Sequence, residues 1–423
     1  MIAVLGAGIA GISAAYHLGL NGQKAVVFEK DGDWGGLCGD FEVAGFRFDK
    51  AIHLSFTENE YVRKLFSESC EYFTHNPLAY NYYKGVWLKH PAQNNLAPLP
   101  SDEKVNIISD FISNKFDSEI KNYEDWLKAQ YGEYFAENFP IRYTRKYWTY
   151  EAKELSTSWV GNRMYRPDIK EVLKGAFDED TPNTYYAKEM RYPVKGGYKS
   201  FIKKMADDCS IELNKEVVNI DVTNKIVSFS DGLNLTYEHV ISSLPLPEYP
   251  KLIKNMPDQV VSACNRLVWT SVGLVSIGLK RSDIPKHLWF YVYDEDIPFA
   301  RCYSPSMKSP YNVPYGCSSL QLEVYYSKNR PLSFSSAELI NICVNKLEKM
   351  GVIDRKDIVV SDFRCAEYGN VVFYHGMEKD RQTVLDYLES VGICTIGRFG
   401  KWDYLWSDQS LLSGGECLGN KIF

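Results

Sequence analysis

Three glycines spaced G-x-G-x-x-G, Gly6, Gly8 and Gly11, and a carboxylate at Glu29 are the first residues whose types and spacing can do chemistry. A glycine turn between a strand and a helix lets bare backbone approach a pyrophosphate, whose charge then faces the positive end of the helix. An acidic residue about twenty positions on can accept a ribose hydroxyl. The flanking pattern suits that task. Positions 2–5 form a short apolar run, 12–20 have helical apolar spacing, and a second apolar run over 24–28 ends against Glu29. Gly6 permits the turn, Gly8 lets backbone and pyrophosphate meet, and Gly11 lets helix pack on strand. The spacing predicts a dinucleotide-binding strand, turn and helix.

The stretch Gly35-Gly36-Leu37-Cys38-Gly39 indicates which dinucleotide. It follows Glu29 closely, and Phe41-Glu42-Val43 and Phe46-Arg47-Phe48-Asp49 then alternate like a hairpin. This resembles flavoproteins of the glutathione-reductase type, in which a Gly-Gly pair after the second strand passes beside the FAD pyrophosphate. A nicotinamide dehydrogenase has no such pair. The resemblance implies an α/β chain with a Rossmann-like FAD-binding domain and places Gly35, Gly36 and Leu37 at the cofactor.

A chain of 423 residues suits two or three structural units. A formal charge of −6 offers no basic field for nucleic acid or an anionic membrane, so an anionic substrate has to be met by locally gathered arginines. The ten cysteines show no C-x-x-C and no metal-ligand spacing, and no secretory segment precedes the first strand; reduced thiols in the cytoplasm and no metal are expected. No apolar run approaches the ~20 residues of a membrane span, so a soluble protein is expected.

Taken in order, the periodicity predicts a helix over 58–69, extended aromatic-rich chain over 77–100, and helices over 101–116, 123–131, 133–139 and 168–175. A turn at 191–197 precedes a helix over 198–208 and short strands over 211–213, 216–220, 225–229 and 235–237, then a strand over 239–245. Positions 263–280, 288–292 and 320–326 read as strands, 336–351 as an amphipathic helix, 393–397 as a strand and 410–422 as a closing helix. The expected organisation is a discontinuous FAD-binding domain (1–75, 191–245 and 390–423), a mainly helical domain (76–190) and an antiparallel-sheet substrate domain (246–389).

Five blocks sharpen this. Phe139, Tyr143, Lys146 and Trp148 form an aromatic, Tyr-x-x-Lys-x-Trp pattern; Trp159-Val160-Gly161-Asn162-Arg163-Met164 is followed by Pro167; Tyr192-Pro193 is followed by Gly196-Gly197. Pro298-Phe299-Ala300-Arg301 is followed by Ser309-Pro310-Tyr311-Asn312, and Gly397-Arg398-Phe399-Gly400-Lys401-Trp402-Asp403-Tyr404 lies near the end. Together they resemble the UDP-galactopyranose mutase family, most closely its eukaryotic-type branch, which is related to the amine oxidase and protoporphyrinogen oxidase superfamily. The resemblance runs in pieces along nearly the whole chain.

It implies a flavin-dependent isomerase of polysaccharide biosynthesis that interconverts pyranose and furanose forms of a UDP- or dTDP-linked hexose without net redox. Reduced flavin N5 attacks the anomeric carbon and expels the diphosphate, with NADPH or NADH as external reductant. Arg301 matches the pyrophosphate arginine, Arg163 and Arg398 the two near flavin and substrate, Tyr291 and Tyr404 the diphosphate tyrosines, and His53 the histidine placed against the flavin. Val218 would offer its backbone to the adenine. Asp408, Gln409 and Ser410 would start the last helix with its amides facing the flavin. The chain departs from the pattern at Ala51-Ile52, where a Gly-Gly precedes the histidine, at Thr144 and Asp408 for asparagines, and at Asn370 for a tyrosine; no uridine contacts can be mapped.

Two other readings share this architecture. An amine oxidase-like or porphyrinogen-type oxidoreductase strips hydride from its substrate and needs an apolar or aromatic cage rather than three arginines. A flavin-bound protein without turnover would serve as a binding partner. A homo-oligomer is compatible with any of them.

Overall fold

The computed structural model describes residues 1–114, 119–161, 163–184 and 187–419. Phe116, Asn162 and 420–422, which the sequence reading used, lie outside the described residues. The first apolar run is the strand Ile2–Leu5, buried at every position. It is central in a five-stranded parallel sheet, between Ala25–Phe28 and His239–Ser242, with Ser210–Glu212 and Ile393–Thr395 at the edges. Parallel strands need long crossovers and cover on both faces, which explains the unbroken apolar run. The helices Ile9–Leu20 and Ser407–Gly415 pack together, with Ser13 Oγ donating to Leu411 O at 2.6 Å. The end of the chain thus closes on its beginning.

A second, seven-stranded sheet carries the order Ile358–Val371, Trp269–Leu279, Ser318–Tyr326, Arg301–Tyr303, Trp289–Val292, Ala79–Tyr83, Val86–Lys89. It is antiparallel except where Trp289–Val292 meets Ala79–Tyr83. One face, with Ile277, Phe290, Cys302 and Leu322, packs on Leu339, Cys343 and Leu347 of the helix Ser336–Lys349. The helices Ser101–Ser113, Tyr123–Tyr131, Glu133–Asn138, Pro140–Tyr147 and Ile169–Phe177 share a core containing Tyr123, Leu127, Tyr131, Phe135 and Phe139. Asp168 caps the last of them, accepting from the amides of Lys170 at 2.7 Å and Glu171 at 3.0 Å.

Several elements differ from the expected ones. The aromatic chain at 79–89 is extended, as expected, but as a hairpin at the edge of the large sheet rather than as a lead-in to helices. Positions 263–280 divide into the end of the helix Asp258–Arg266 and the strand Trp269–Leu279. Of the four short strands, Ser210–Glu212 joins the parallel sheet and the other three form their own antiparallel sheet. The closing helix begins at Ser407, because Gln409 Oε1 accepts the Trp406 amide at 2.9 Å and fixes the first turn there. Among the described residues no helix is long and apolar enough to cross a membrane.

Candidate active site

The glycine turn forms a cradle of bare backbone. Gly6 has φ +96°, and a Cβ at Gly11 would lie 1.9 Å from Gly6 O, so helix and strand touch only because no side chain intervenes. Gly8 bridges Gly35, the Gly35 amide donates to Ala7 O at 2.8 Å, and a Cβ at Gly36 would lie 3.1 Å from Gly8 Cα. Two glycine segments therefore meet at the N-terminus of the helix Ile9–Leu20. Glu29 closes this end, accepting from the Ala7 amide at 2.7 Å and the Asp31 amide at 3.1 Å. Val218 sits where the Val217–Asp221 ladder shifts register and is 45% exposed, so it is not the core valine that strand alternation alone would make it.

The other sequence-selected residues converge. His53, Arg163, Tyr291, Arg301, Arg398 and Tyr404 all line one cavity of about 770 Å³, together with Leu37, Arg166 and Ser407. Asp408, Gln409 and Ser410 are not among its lining residues; Ser410 is buried and Gln409 exposed. Among the described residues no aspartate or glutamate lines the cavity. Aromatic rings make most of its wall, among them Tyr131, Phe135, Tyr143, Trp148 and Trp159.

Strand register builds the first part of the site. Tyr291 pairs with Arg301, and Arg301 pairs with Glu323, so three neighbouring strands put three polar side chains in one row. Arg301 Nε donates to Glu323 Oε2 at 2.7 Å and Nη2 to Tyr325 OH at 3.2 Å. Tyr325 OH donates to the same Glu323 oxygen at 2.8 Å, and the Ile52 amide to Oε1 at 3.0 Å. Glu323 is wholly buried, so the charge of Arg301 is compensated from beneath. The alternation Leu322-Glu323-Val324 could have exposed this partner: a lone carboxylate in an apolar strand needs a cation.

Among the described residues, no carboxylate holds Arg163 or Arg398. Arg163 donates Nη1 to Trp159 O and Nη2 to Tyr404 O, both at 2.8 Å, and lies 4.8 Å from the Tyr404 ring centre and 5.0 Å from that of Trp406. Arg398 Nη2 donates to Asn370 Oδ1 at 3.0 Å, and its guanidinium lies 4.5 Å from the Tyr404 ring. The Nε of each is buried without a hydrogen-bond partner among the described residues. Tyr147 OH donates to Asn370 Oδ1 at 3.2 Å, so in its 3.1 Å contact with Tyr404 OH the proton comes from Tyr404. Tyr404, which the resemblance places at the diphosphate, directs its proton at Tyr147.

His53 Nδ1 lies 3.2 Å from Ala51 O, which as an acceptor places the proton on Nδ1 and leaves Nε2 as the acceptor. Burial lowers its pKa to about 4, so the ring is neutral. Beneath it the carboxylate of Asp49 pairs with Lys308, both wholly buried, and accepts from Tyr192 OH at 2.9 Å and the Tyr198 amide at 3.0 Å. Nothing near Lys308 in the chain marks it as a buried lysine, so only the fold reveals it.

The flavin containing amine oxidoreductase model matches residues 9–385, and the chain belongs to that family. Among solved structures it is similar to a reduced UDP-galactopyranose mutase, with 25% identity, 98% of this chain and 94% of that chain covered and a TM-score of 0.91. A protein of Exiguobacterium sp. 255-15 described as a protoporphyrinogen oxidase shares the fold at 14% identity (98% and 96% covered, TM-score 0.76). A fatty acid isomerase of P. acnes that produces CLA shares it at 11% identity (98% and 97%, TM-score 0.68). These findings fit the resemblance read from the motifs and support a flavin cofactor, FAD. The two glycine segments, with no Cβ between them and a helix N-terminus behind, fit its pyrophosphate.

Proposed function

We propose that this protein is a flavin-dependent mutase that interconverts pyranose and furanose forms of a UDP- or dTDP-linked hexose. The observation that carries the reading is the pair Arg163 and Arg398, two guanidiniums with no carboxylate partner among the described residues, each with a buried unpartnered Nε, opening with His53 into one cavity. A buried unpaired charge costs several kcal/mol, so such a pair is arranged for an anion that arrives with the ligand. A diphosphate leaving group is such an anion, and fixed guanidiniums stabilise its departure and return.

Reduced flavin, when bound, supplies a nucleophilic N5 for the anomeric carbon. The chain's own residues do the rest. Arg163 and Arg398 hold the diphosphate, Arg301 presents its remaining N–H groups from a position fixed and charge-compensated by Glu323, and Tyr291 stands beside it on the next strand. Neutral His53 offers Nε2 as an acceptor at the cavity wall. Aromatic rings line the space in which the sugar is detached from its nucleotide. A nicotinamide dinucleotide as the external reductant belongs to the same reading. Incubating dithionite-reduced protein with UDP- and dTDP-hexoses and analysing ring size tests it; unchanged ring size across the panel ends it.

The aromatic wall favours a second reading, an FAD-dependent amine oxidase-like or porphyrinogen-type oxidoreductase. Oxygen consumption driven by an amine or a porphyrinogen would establish that activity instead.

A further inference from the structure

The cavity arginines are held in two chemically different ways. Arg301 is held by a buried carboxylate, Glu323, which fixes the guanidinium and compensates its charge. Arg398 is held by an amide, Asn370, which lines the same cavity and is 4% exposed. Asn370 lies near the end of the strand Ile358–Val371, where it pairs with Thr270, and its Nδ2 donates to Thr270 Oγ1 at 3.3 Å. That bond sets the amide's orientation and turns Oδ1 toward Arg398 Nη2 and Tyr147 OH, which fill both of its lone pairs. Gly369 permits the close approach, since a Cβ there would lie 2.9 Å from Thr270 O.

A neutral oxygen fixes a guanidinium's geometry without cancelling its charge, whereas a carboxylate at the same place does both. We propose that Asn370 is the positioning residue that sets this site for a dianionic diphosphate. It fixes Arg398 against Tyr404 and leaves the guanidinium charge for the ligand. The assignment rests on the nucleotide-sugar reading above.

The test is calorimetric titration of the oxidised holoprotein with UDP and with inorganic pyrophosphate. Asn370→Asp keeps an oxygen for Arg398 and Tyr147 and adds a charge; Asn370→Leu keeps the branched shape and removes the acceptor. Asn370→Asp is expected to weaken both ligands by about thirtyfold without lowering the melting temperature, and Asn370→Leu by about tenfold. A purely structural hub gives the opposite order, because the aspartate preserves every bond Oδ1 makes. Affinity of Asn370→Asp within about threefold of wild type, or a smaller loss than in Asn370→Leu, overturns the proposal. Should Asn370→Leu fail to fold, the comparison of Asn370→Asp with wild type decides alone. Wild-type protein that binds neither ligand sinks the nucleotide-sugar reading and this assignment together; wild-type binding with no response to Asn370→Asp sinks the assignment only.

Discussion

Arg301 shows how much a residue's role depends on what lies beneath it. Glu323 is wholly buried and takes bonds from Arg301, Tyr325 and the Ile52 amide, so truncating the arginine strands a carboxylate in the core. Arg301→Ala should therefore lower the unfolding free energy by about 3 kcal/mol in urea titration, beyond any effect on ligand. Arg163→Ala strands no carboxylate and should lose ligand affinity with a smaller loss of stability; equal destabilisation by the two variants would refute the distinction. His53 makes a pH prediction. Its folded pKa of about 4 lies below the ordinary 6.5, so the unfolded chain takes up the proton first as pH falls. The stabilising contribution is complete above about pH 6.5 and is lost as the pH drops toward about 4. His90 and His287, also lowered to about 4 by burial, act in the same direction. Denaturant midpoints at pH 7 and 5 should show the slope, and His53→Gln should flatten it in part.

At the level of elements, the glycine turn and its flanking strands were legible because their positions are set by local sterics and by unbroken apolar runs. A Cβ at Gly8 would meet nothing nearer than Gly36 Cα at 4.0 Å, and Gly8 has φ −73°, so Gly8→Ala should fold with a nearly unchanged melting temperature. The added methyl stands where a pyrophosphate approaches, and retained flavin absorbance should fall by about tenfold or more. Gly414→Ala differs, since its Cβ would lie 2.1 Å from Ala10 O; it should cost about 2–3 kcal/mol by separating the first and last helices. Flavin retained in Gly8→Ala would move the cofactor out of the cradle. The strand Ile358–Val371 was not legible because it is mostly half-exposed and polar, without a clean alternation. The helix Pro140–Tyr147 begins on a proline and carries few apolar residues, yet it brings Tyr143, Thr144 and Tyr147 to the cavity. The six cavity residues were legible through motifs and Asn370 as a departure from one, whereas the bonds between them were not: Tyr147 and Asn370 are 223 positions apart, and only the fold joins them.

The whole molecule carries a formal charge of −6, yet its large cavity is lined by Arg163, Arg166, Arg301 and Arg398 and, among the described residues, by no carboxylate. Such a cavity is positive inside a negative protein, and low-dielectric aromatic walls strengthen that local field. Anionic ligands should be drawn in and cationic amines repelled, whatever their hydrophobic fit. Affinity for UDP is expected to fall by about tenfold as NaCl rises from about 0.05 to 0.5 M, since screening shortens the reach of exposed arginines such as Arg166 first. Benzylamine and putrescine, supplied to air-saturated holoprotein, should neither bleach the flavin nor consume oxygen. Flavin reduction by either amine, with UDP affinity insensitive to salt, would mean that the aromatic wall and not the arginines selects the substrate.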